Sequence, residues 1–224
     1  MKNSVAKGLI KTGAAMLIWG GTLFLAAGRL DWPMAWAYMG VVLVNSAILA
    51  LIMDPELQAE RSGVGEGVKR WDLFLAVYLG RLGPLAMLIV AGLDRRFGWS
   101  AEVPLAWQWV ALVVIALGTV LADWALLANR FFAPVVRIQR DRGQTVVTGG
   151  PYRFVRHPGY VGSLLHYMAA PVALGTPWAL IPSGLIVAVT ILRTALEDRT
   201  LQEELEGYKD YAGRVRYRLL PGVW

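Results

Sequence analysis

Five long apolar runs most constrain what this chain can fold into. They span residues 12–28, 32–53, 73–93, 103–122 and 158–192, and Arg81 is the only acidic, lysine or arginine residue within them. None alternates apolar and polar residues as a half-buried strand does. A backbone within lipid must satisfy its own hydrogen bonds, and about 20 apolar residues cross the hydrocarbon core as a helix. We therefore predict an all-α, polytopic transmembrane bundle and an integral, multi-pass membrane protein.

The last run is too long for one straight helix. Its 35 residues would form a helix of about 52 Å at 1.5 Å per residue, whereas the hydrocarbon core is about 30 Å thick. Pro171, Gly175 and Pro177 lie at its middle and indicate a turn. We expect four spans followed by a C-terminal helical hairpin, whose arms are residues 158–170 and 177–192.

Lysine and arginine residues predict the orientation of the bundle, because they concentrate on the cytoplasmic side of membrane proteins. If the hairpin returns to the side from which it starts, 18 of the 22 lie on one side, and Arg29, Arg95 and Arg96 lie on the other. The basic loop 129–157 and the C-terminal tail 193–224 then share the cytoplasmic face. The periodic charges of the tail predict a helix that extends from the membrane into water.

The remaining composition bears on the kinds of site that the chain can form. It has no cysteine and two histidines, which excludes disulfides, thiolate nucleophiles and sulfur-ligated metals. The net charge of +6 and the pI near 9.8 are typical of basic residues that flank membrane spans and meet anionic headgroups. We expect membrane lipids as partners, and neither nucleic acid nor metal.

Residues 1–72 are predicted as a unit of their own, a transmembrane hairpin followed by a cytoplasmic loop. The lysines and the first apolar run also match a signal peptide. The run is long and leads directly into the next one, which favours an uncleaved first helix. Residues 54–72 contain glycines at positions 63, 65 and 67, but no strand precedes them, so they are not a dinucleotide fingerprint. We interpret this segment as a flexible loop.

Two ionisable residues, Arg81 and Asp123, lie within or at the end of an apolar run. An isolated charge at membrane depth is unfavourable, so such residues are candidates for a function or for an ion pair. We expect Arg81 and Asp123 to pair with each other.

Residues 149–162 have the character of a binding loop. The sequence Gly-Gly-Pro-Tyr-Arg-Phe-Val-Arg-His-Pro-Gly-Tyr-Val-Gly combines glycines, prolines, tyrosines and basic side chains. The glycines and prolines therefore determine the backbone conformation of the loop, and several hydrogen-bonding groups lie close together. At a membrane surface, such a loop favours a polar ligand.

Taken with the tail, these residues resemble the isoprenylcysteine carboxyl methyltransferases and their bacterial relatives. The resemblance covers residues 129–224, and the first two spans are not diagnostic of it. The motifs that carry it are the loop 149–162, the acidic pair Glu197-Asp198, and Gly207-Tyr208-x-x-Tyr211 before Arg214-Val215. The acidic pair of that family is Glu-Glu, so this chain departs from the family at Asp198.

The resemblance implies a membrane helical bundle whose C-terminal half encloses S-adenosylmethionine without a Rossmann domain. It implies a cytoplasmic cofactor pocket formed by the last loop and the C-terminal tail. The acceptor would be a lipid, or a prenylated small molecule or protein, that arrives sideways from the bilayer. Residues 73–224 would then be the catalytic membrane core with its cytoplasmic tail.

The resemblance also implies which residues form the site. Arg193, Glu197 and His157 would be catalytic, with Arg193 binding the substrate carboxylate. His166, within the hairpin, is expected to be a packed helix residue. The residues implied to contact S-adenosylmethionine are Gln139, Gln144, Thr145, Val146, Val147, Tyr152, His157, Pro158, Gly159, Tyr160 and Glu197.

The implied reaction is methyl transfer from S-adenosylmethionine to a carboxylate of isoprenylcysteine type. A carboxylate is already ionised at pH 7 and displaces the methyl group directly, so positioning is expected to carry most of the catalysis. A second hypothesis is a phospholipid amine N-methyltransferase, in which His157 or a tyrosine would have to accept a proton. A third is a nicotinamide-dependent reductase of the sterol-reductase type, and a fourth is a non-catalytic membrane scaffold that binds lipids or a partner protein.

Overall fold

The computed structural model describes residues 2–61 and 66–224, and every regular element in these ranges is helical. The prediction of an all-α fold is confirmed. Short 3₁₀ turns lie at Arg140–Arg142, Gly150–Arg153 and Pro177–Ala179, and a π-helical turn lies at Tyr78–Leu82. The α-helices are α1 (Lys2–Ala27), α2 (Pro33–Ile52), α3 (Pro55–Glu60), α4 (Arg70–Val77), α5 (Gly83–Phe97), α6 (Leu105–Ala128), α7 (Pro158–Leu174), α8 (Leu180–Glu204) and α9 (Tyr208–Arg214).

Four helical stretches in the described residues are long and apolar enough to cross a membrane, which supports a multi-pass membrane protein. They are Pro33–Ile52, Arg70–Phe97, Leu105–Ala128 and Pro177–Glu204. The first predicted run differs, because its apolar part, Thr12–Ala27, is shorter than these four. The side of the membrane on which each end lies, and the division of the chain at residue 72, stay predictions.

The predicted hairpin is present, but its arms are longer than expected. Helix α7 continues through Pro171 and ends at Leu174, and the positive φ of 68° at the next residue, Gly175, lets the chain turn. The 3₁₀ turn that begins at Pro177 leads into α8, which runs on to Glu204. The second arm therefore extends well beyond the last apolar residues, and this agrees with the prediction that the tail begins as a continuation of the membrane helix.

Close helix packing holds the hairpin against the rest of the bundle. Helices α6 and α7 make the most extensive contact, with Gly118 facing Gly162. A Cβ atom added to Gly118 would lie 2.8 Å from the carbonyl oxygen of Gly162, so the two backbones approach as only small residues allow. This approach fixes α7, and hence the loop that precedes it, against α6.

The turn between α7 and α8 is tied to α5 by a buried carboxylate. Asp94 is 2% exposed. It accepts hydrogen bonds from the backbone N–H and the hydroxyl of Ser100, at 2.9 and 2.7 Å, and from the backbone N–H of Trp178, at 3.2 Å. The hairpin is thus fixed at its turn as well as along its first arm.

The expected pairing of Arg81 with Asp123 is wrong. The carboxylate of Asp123 accepts a hydrogen bond from Asn45 Nδ2 at 2.8 Å, which joins α6 to α2. Arg81 forms no ion pair with any residue in the described part of the chain. The interpretation of His166 as a packed residue is confirmed, since its Nε2 lies 3.1 Å from the hydroxyl of Tyr38 on α2.

Residues 54–72 are more ordered than the predicted flexible loop. They contain α3 and the start of α4, and three ion pairs join them to the C-terminal half of the chain. Residues 62–65, which hold two of the glycines on which the prediction was based, lie outside the described residues. The ion pairs are Glu56 with Arg142 at 2.8 Å, Glu60 with Arg137 at 2.6 Å, and Lys69 with Glu204 at 2.6 Å.

Candidate active site

A cavity of about 380 Å³ lies between α4, α7, α8 and the loop that follows α6. Its size is within the range of small-molecule sites in proteins, roughly 300–1,000 Å³. Ten of the eleven residues that the sequence assigned to the cofactor line it, and so does Arg193. The eleventh, Pro158, is the first residue of α7 and is not part of the lining.

Three of the predicted site residues form one contact cluster. The Tyr160 hydroxyl on α7 donates a hydrogen bond of 2.6 Å to Glu197 Oε2 on α8. The Arg193 guanidinium lies 5.7 Å from the centre of the Tyr160 ring, within the range of a cation–π contact. Arg193 and Glu197 share a face of α8 because they are four residues apart. The ring of His157 stacks on that of Tyr160, with the ring centres 5.9 Å apart.

Arg193 is held by an aspartate that sequence reasoning did not assign to the site. Asp72, in the first turn of α4, is fully buried. It accepts hydrogen bonds from Arg193 Nε at 2.6 Å and Nη2 at 2.9 Å, and from the backbone N–H of Val136 at 2.6 Å. Nη2 also donates to the carbonyl of Pro134 at 2.9 Å. The third guanidinium nitrogen of Arg193, Nη1, makes no hydrogen bond to a described residue and is left for a ligand.

The second residue of the acidic pair, Asp198, is a hub of hydrogen bonds. It is fully buried on α8, and its two oxygens face six polar groups that belong to five side chains. The groups are Arg156 Nε (2.7 Å) and Nη2 (3.0 Å), Arg218 Nε (2.8 Å), Gln202 Nε2 (2.8 Å), the Tyr208 hydroxyl (3.0 Å) and His157 Nε2 (3.2 Å).

This hub docks the C-terminal tail onto the loop 149–157. The backbone N–H groups of Arg156 and His157 donate to the carbonyls of Tyr217 and Arg218, at 2.9 and 3.0 Å. Nη1 of Arg156 donates to the carbonyls of residues 215 and 216. Burial first, and then the charge of Asp198, raise the pKa of Tyr208 far above its ordinary value, so its hydroxyl keeps its proton and acts as a donor to Asp198.

Comparison with known proteins identifies the region that holds most of this site. Residues 106–206 match the family model described as phospholipid methyltransferase. That region of the chain is similar to the phospholipid methyltransferase family. It contains α6 except its first residue, the loop between α6 and α7, and all of α7 and α8, so Arg193, Glu197 and Asp198 lie within it. Asp72 and Tyr208 lie outside it.

Curated relatives of this chain have more specific names. The chain is 34% identical over 111 residues to the probable protein-S-isoprenylcysteine O-methyltransferase of Oryza sativa subsp. indica, which covers 48% of this chain and 58% of the relative. It is 32% identical over 107 residues to protein-S-isoprenylcysteine O-methyltransferase B of Arabidopsis thaliana, covering 46% and 54%. It is 31% identical over 126 residues to the human protein-S-isoprenylcysteine O-methyltransferase, covering 52% and 43%. The resemblance drawn from the sequence is confirmed at the level of the family, and the chain aligns with about half the length of these relatives.

The loop between α6 and α7 exposes unpaired backbone groups to the cavity. The N–H and C=O groups of residues 145–148 make no hydrogen bond to the described part of the protein, and residues 145–147 line the cavity. Backbone groups beside a cavity without partners are available to a ligand. Gln139 fixes the start of this segment, since its backbone N–H donates to Gln144 Oε1 at 2.7 Å and its Nε2 donates to the carbonyl of Phe131 at 2.6 Å.

Tyr152 links the same loop to the tail and to α6. Its hydroxyl accepts a hydrogen bond of 3.2 Å from Asn129 Nδ2, and its carbonyl accepts one of 2.7 Å from the Tyr211 hydroxyl. Burial raises the pKa of both tyrosines above the ordinary value. The two tyrosines of the sequence motif therefore act here as neutral hydrogen-bonding groups.

Asp72 and Asp198 are the residues of the site whose roles sequence reasoning missed. The resemblance assigns a role to Glu197, the first residue of the acidic pair, and none to Asp198. Asp72 stands immediately before an apolar run, at the end of a segment that was interpreted as a loop. The sequence signal that could have identified Asp72 is its position at the start of a membrane-length helix. A carboxylate there needs a partner when the helix end is buried.

Proposed function

We propose that this protein transfers a methyl group from S-adenosylmethionine to an amphiphilic acceptor in the membrane, most specifically to a carboxylate of isoprenylcysteine type. The observation that carries the proposal is the series of α8 side chains that line one cavity, namely Thr190, Arg193, Glu197 and Leu201. Successive members are about one helical turn apart. Arg193 therefore lies one turn closer than Glu197 to the middle of the candidate span Pro177–Glu204.

The end of the cavity near Glu197 fits the cofactor. Glu197 is the only acidic side chain among the described residues that line the cavity, and a carboxylate suits an ammonium group or ribose hydroxyls. The unpaired backbone groups of residues 145–147 offer donors and acceptors to the adenine or to the methionine carboxylate. When bound, S-adenosylmethionine supplies a methyl group on a sulfonium that is open to nucleophilic attack.

The other end of the cavity suits an apolar chain. It is lined by Ala76 and Leu79 from the helix that contains α4, and by Tyr167 from α7. Ala76 and Leu79 belong to a candidate span, so an isoprenyl or acyl chain beside them would remain at the level of the hydrocarbon core. The names of the curated relatives support an isoprenylcysteine acceptor for this end.

Arg193 would orient the acceptor carboxylate. Asp72 and the carbonyl of Pro134 fix two of its nitrogens, which leaves Nη1 to contact a carboxylate oxygen. The carboxylate is ionised at pH 7 and needs no base, so the work of the protein is to hold it in line. His157 Nε2 already contacts Asp198, and we assign His157 to positioning the loop rather than to proton transfer.

An amine acceptor is the second candidate function. The description of the matching family as phospholipid methyltransferase favours it. A protonated amine would have to lose a proton before attack, and His157, the histidine that lines the cavity, is engaged with Asp198. The contacts therefore favour the carboxylate.

Calorimetric titration of the detergent-purified protein with S-adenosylhomocysteine tests the proposal. Glu197→Gln keeps the size of the side chain and removes its charge, and we expect it to weaken binding roughly 10- to 100-fold, the effect of losing a hydrogen bond to a charged group. Glu203→Gln, at an exposed position of the same helix, is the control and should bind as the wild type does. A folded wild type that does not bind S-adenosylhomocysteine would refute the proposal.

A transfer assay then separates the two acceptors. The wild type is incubated with S-adenosylmethionine labelled in its methyl group, and with either N-acetyl-S-farnesylcysteine or vesicles that contain phosphatidylethanolamine. We expect label in a base-labile ester of the first substrate. Label found only in the phospholipid would show that the acceptor is an amine and not a carboxylate.

Tyr160→Phe should weaken cofactor binding without unfolding the protein. The variant removes only the hydroxyl that donates to Glu197, so the carboxylate loses its fixed position and one hydrogen bond. We expect S-adenosylhomocysteine to bind about 10-fold more weakly, measured by the same titration. Tyr217→Phe is the matched control, because its ring is 38% exposed and it should leave the affinity unchanged. Equal affinities of the two variants would contradict the role of the Tyr160–Glu197 contact.

A further inference from the structure

Four arginines line the cavity, and three of them are neutralised by a carboxylate. The ion pairs are Arg137 with Glu60 at 2.6 Å, Arg156 with Asp198 at 2.7 Å, and Arg193 with Asp72 at 2.6 Å. The fourth, Arg61, follows α3 and forms no ion pair with a described residue. Among the side chains described, it is the one cavity-lining cation whose charge no carboxylate of the protein contacts.

The surroundings of Arg61 make this lack of a partner costly. Its Nη1 is buried and has no hydrogen-bond partner among the described residues. Its guanidinium lies 5.3 Å from the centre of the Phe132 ring. Burial lowers the pKa of Arg61 below its ordinary value, and the more distant charge of Asp123 only partly opposes this. A buried polar group without a hydrogen-bond partner destabilises the protein. A ligand that supplies the missing hydrogen bond would remove this destabilisation.

Asp123 does not take the place of that partner. Its carboxylate is hydrogen-bonded to Asn45, it is not among the residues that line the cavity, and it lies beyond ion-pair distance of Arg61. Phe132 separates Arg61 from the start of α7, because the ring of Phe132 also lies against Gly159. The positive charge of Arg61 therefore lies at the cavity with no carboxylate of the described residues to neutralise it.

We propose that Arg61 is an anion-binding residue of the cavity and holds the carboxylate of a bound ligand. A guanidinium binds a carboxylate through charge-assisted and often paired hydrogen bonds. Arg193 has one terminal nitrogen left for this task, so a second cation would complete the binding of the anion. The identity of the ligand rests on the proposed function, under which two carboxylates are available, that of the acceptor and that of the methionine end of the cofactor.

Binding measurements on Arg61→Gln test the proposal and distinguish these two sources. Tryptophan fluorescence of the purified protein follows the binding of N-acetyl-S-farnesylcysteine and of its methyl ester, which has one additional methyl group and no negative charge. Calorimetry follows S-adenosylhomocysteine. Arg140→Gln, which changes an exposed arginine of the basic loop 129–157, is the control variant, and thermal unfolding of each variant checks that it is folded.

We expect the wild type and Arg140→Gln to bind the free acid more tightly than the ester. Arg61→Gln should weaken binding of the acid roughly 10- to 100-fold and leave the ester unaffected. A comparable loss for S-adenosylhomocysteine instead would assign the cofactor carboxylate to Arg61. If Arg61→Gln does not fold, Arg61→Lys keeps the charge but not the paired geometry and should show a smaller loss of the same kind.

Unchanged affinities for both carboxylate ligands in Arg61→Gln would overturn the inference. That result would leave the proposed function standing if the wild type still transfers methyl groups. Conversely, comparing the affinities for the acid and the ester measures binding and does not require methyl transfer. The comparison therefore tests the role of Arg61 even if no methylation is found.

Discussion

Asp198→Asn is expected to destabilise the protein by about 3–5 kcal/mol, the usual effect of breaking a buried ion pair by removing one partner. Asp198 is fully buried and contacts Arg156, which is nearly buried as well, and Arg218, which is 31% exposed. An asparagine cannot neutralise these arginines. The NH₂ group of the asparagine would also take the place of a carboxylate oxygen that now accepts a hydrogen bond. It would then face an N–H donor, and that hydrogen bond would be lost. Most of the loss should come from Arg156, because water can solvate part of Arg218.

The measurement is the free energy of unfolding in detergent micelles, from chemical denaturation. Because Asp198 docks the tail, limited proteolysis with trypsin should also cleave after Arg214 and Arg216 faster than in the wild type. Glu203→Gln is the control, since it breaks the exposed pair of Glu203 with Arg199 on the same helix, and such pairs contribute little. Equal denaturation midpoints for the two variants would contradict the assignment of Asp198 as the hub.

Asp72→Asn is expected to have a similar effect on stability, about 3–5 kcal/mol, and a separate effect on the acceptor. Asp72 accepts three hydrogen bonds, from Nε and Nη2 of Arg193 and from the backbone N–H of Val136. An asparagine would turn its NH₂ group towards one of these donors and leave Arg193 buried with its charge unpaired. Arg193 would then lose the orientation that leaves Nη1 for the acceptor.

Unfolding and kinetics together identify this role. We expect KM for N-acetyl-S-farnesylcysteine to rise about 10-fold or more, as when a hydrogen bond to a charged group is lost, while the affinity for S-adenosylhomocysteine changes little. Asp141→Asn is the matched control, because Asp141 also pairs with an arginine, Arg137, but its side chain is 57% exposed. It should change neither quantity appreciably. A loss of stability without any change in KM would make Asp72 purely structural.

The sequence predicted the membrane helices and the hairpin because both depend on local patterns. Uncharged runs of about 20 residues need a helix in lipid whatever surrounds them. Gly175 and Pro177 turn the chain by their own backbone geometry. Helix ends were less predictable, since α7 passes through Pro171 and α8 continues to Glu204, beyond the apolar run that ends at residue 192.

The candidate site was predictable where its residues lie on one loop and one helix. Tyr160 and His157 are near each other in sequence, and Arg193 and Glu197 are one turn apart on α8. These motifs indicated the family, and the structure gathers them around one cavity. Their individual roles stay predictions until the variants are measured.

The sequence by itself therefore determined the class of fold, the resemblance to the family and eleven of the residues that line the cavity. Only the tertiary structure decided which charges neutralise each other. Arg193 pairs with Asp72, which is 121 positions away, and not with a neighbour on its own helix. Asp123 contacts Asn45 instead of Arg81, and Arg61 is left without a carboxylate among the described residues. The residues of each segment determine its helical periodicity. The partner of a buried charge depends instead on where helices cross, and no local pattern in the sequence encodes that crossing.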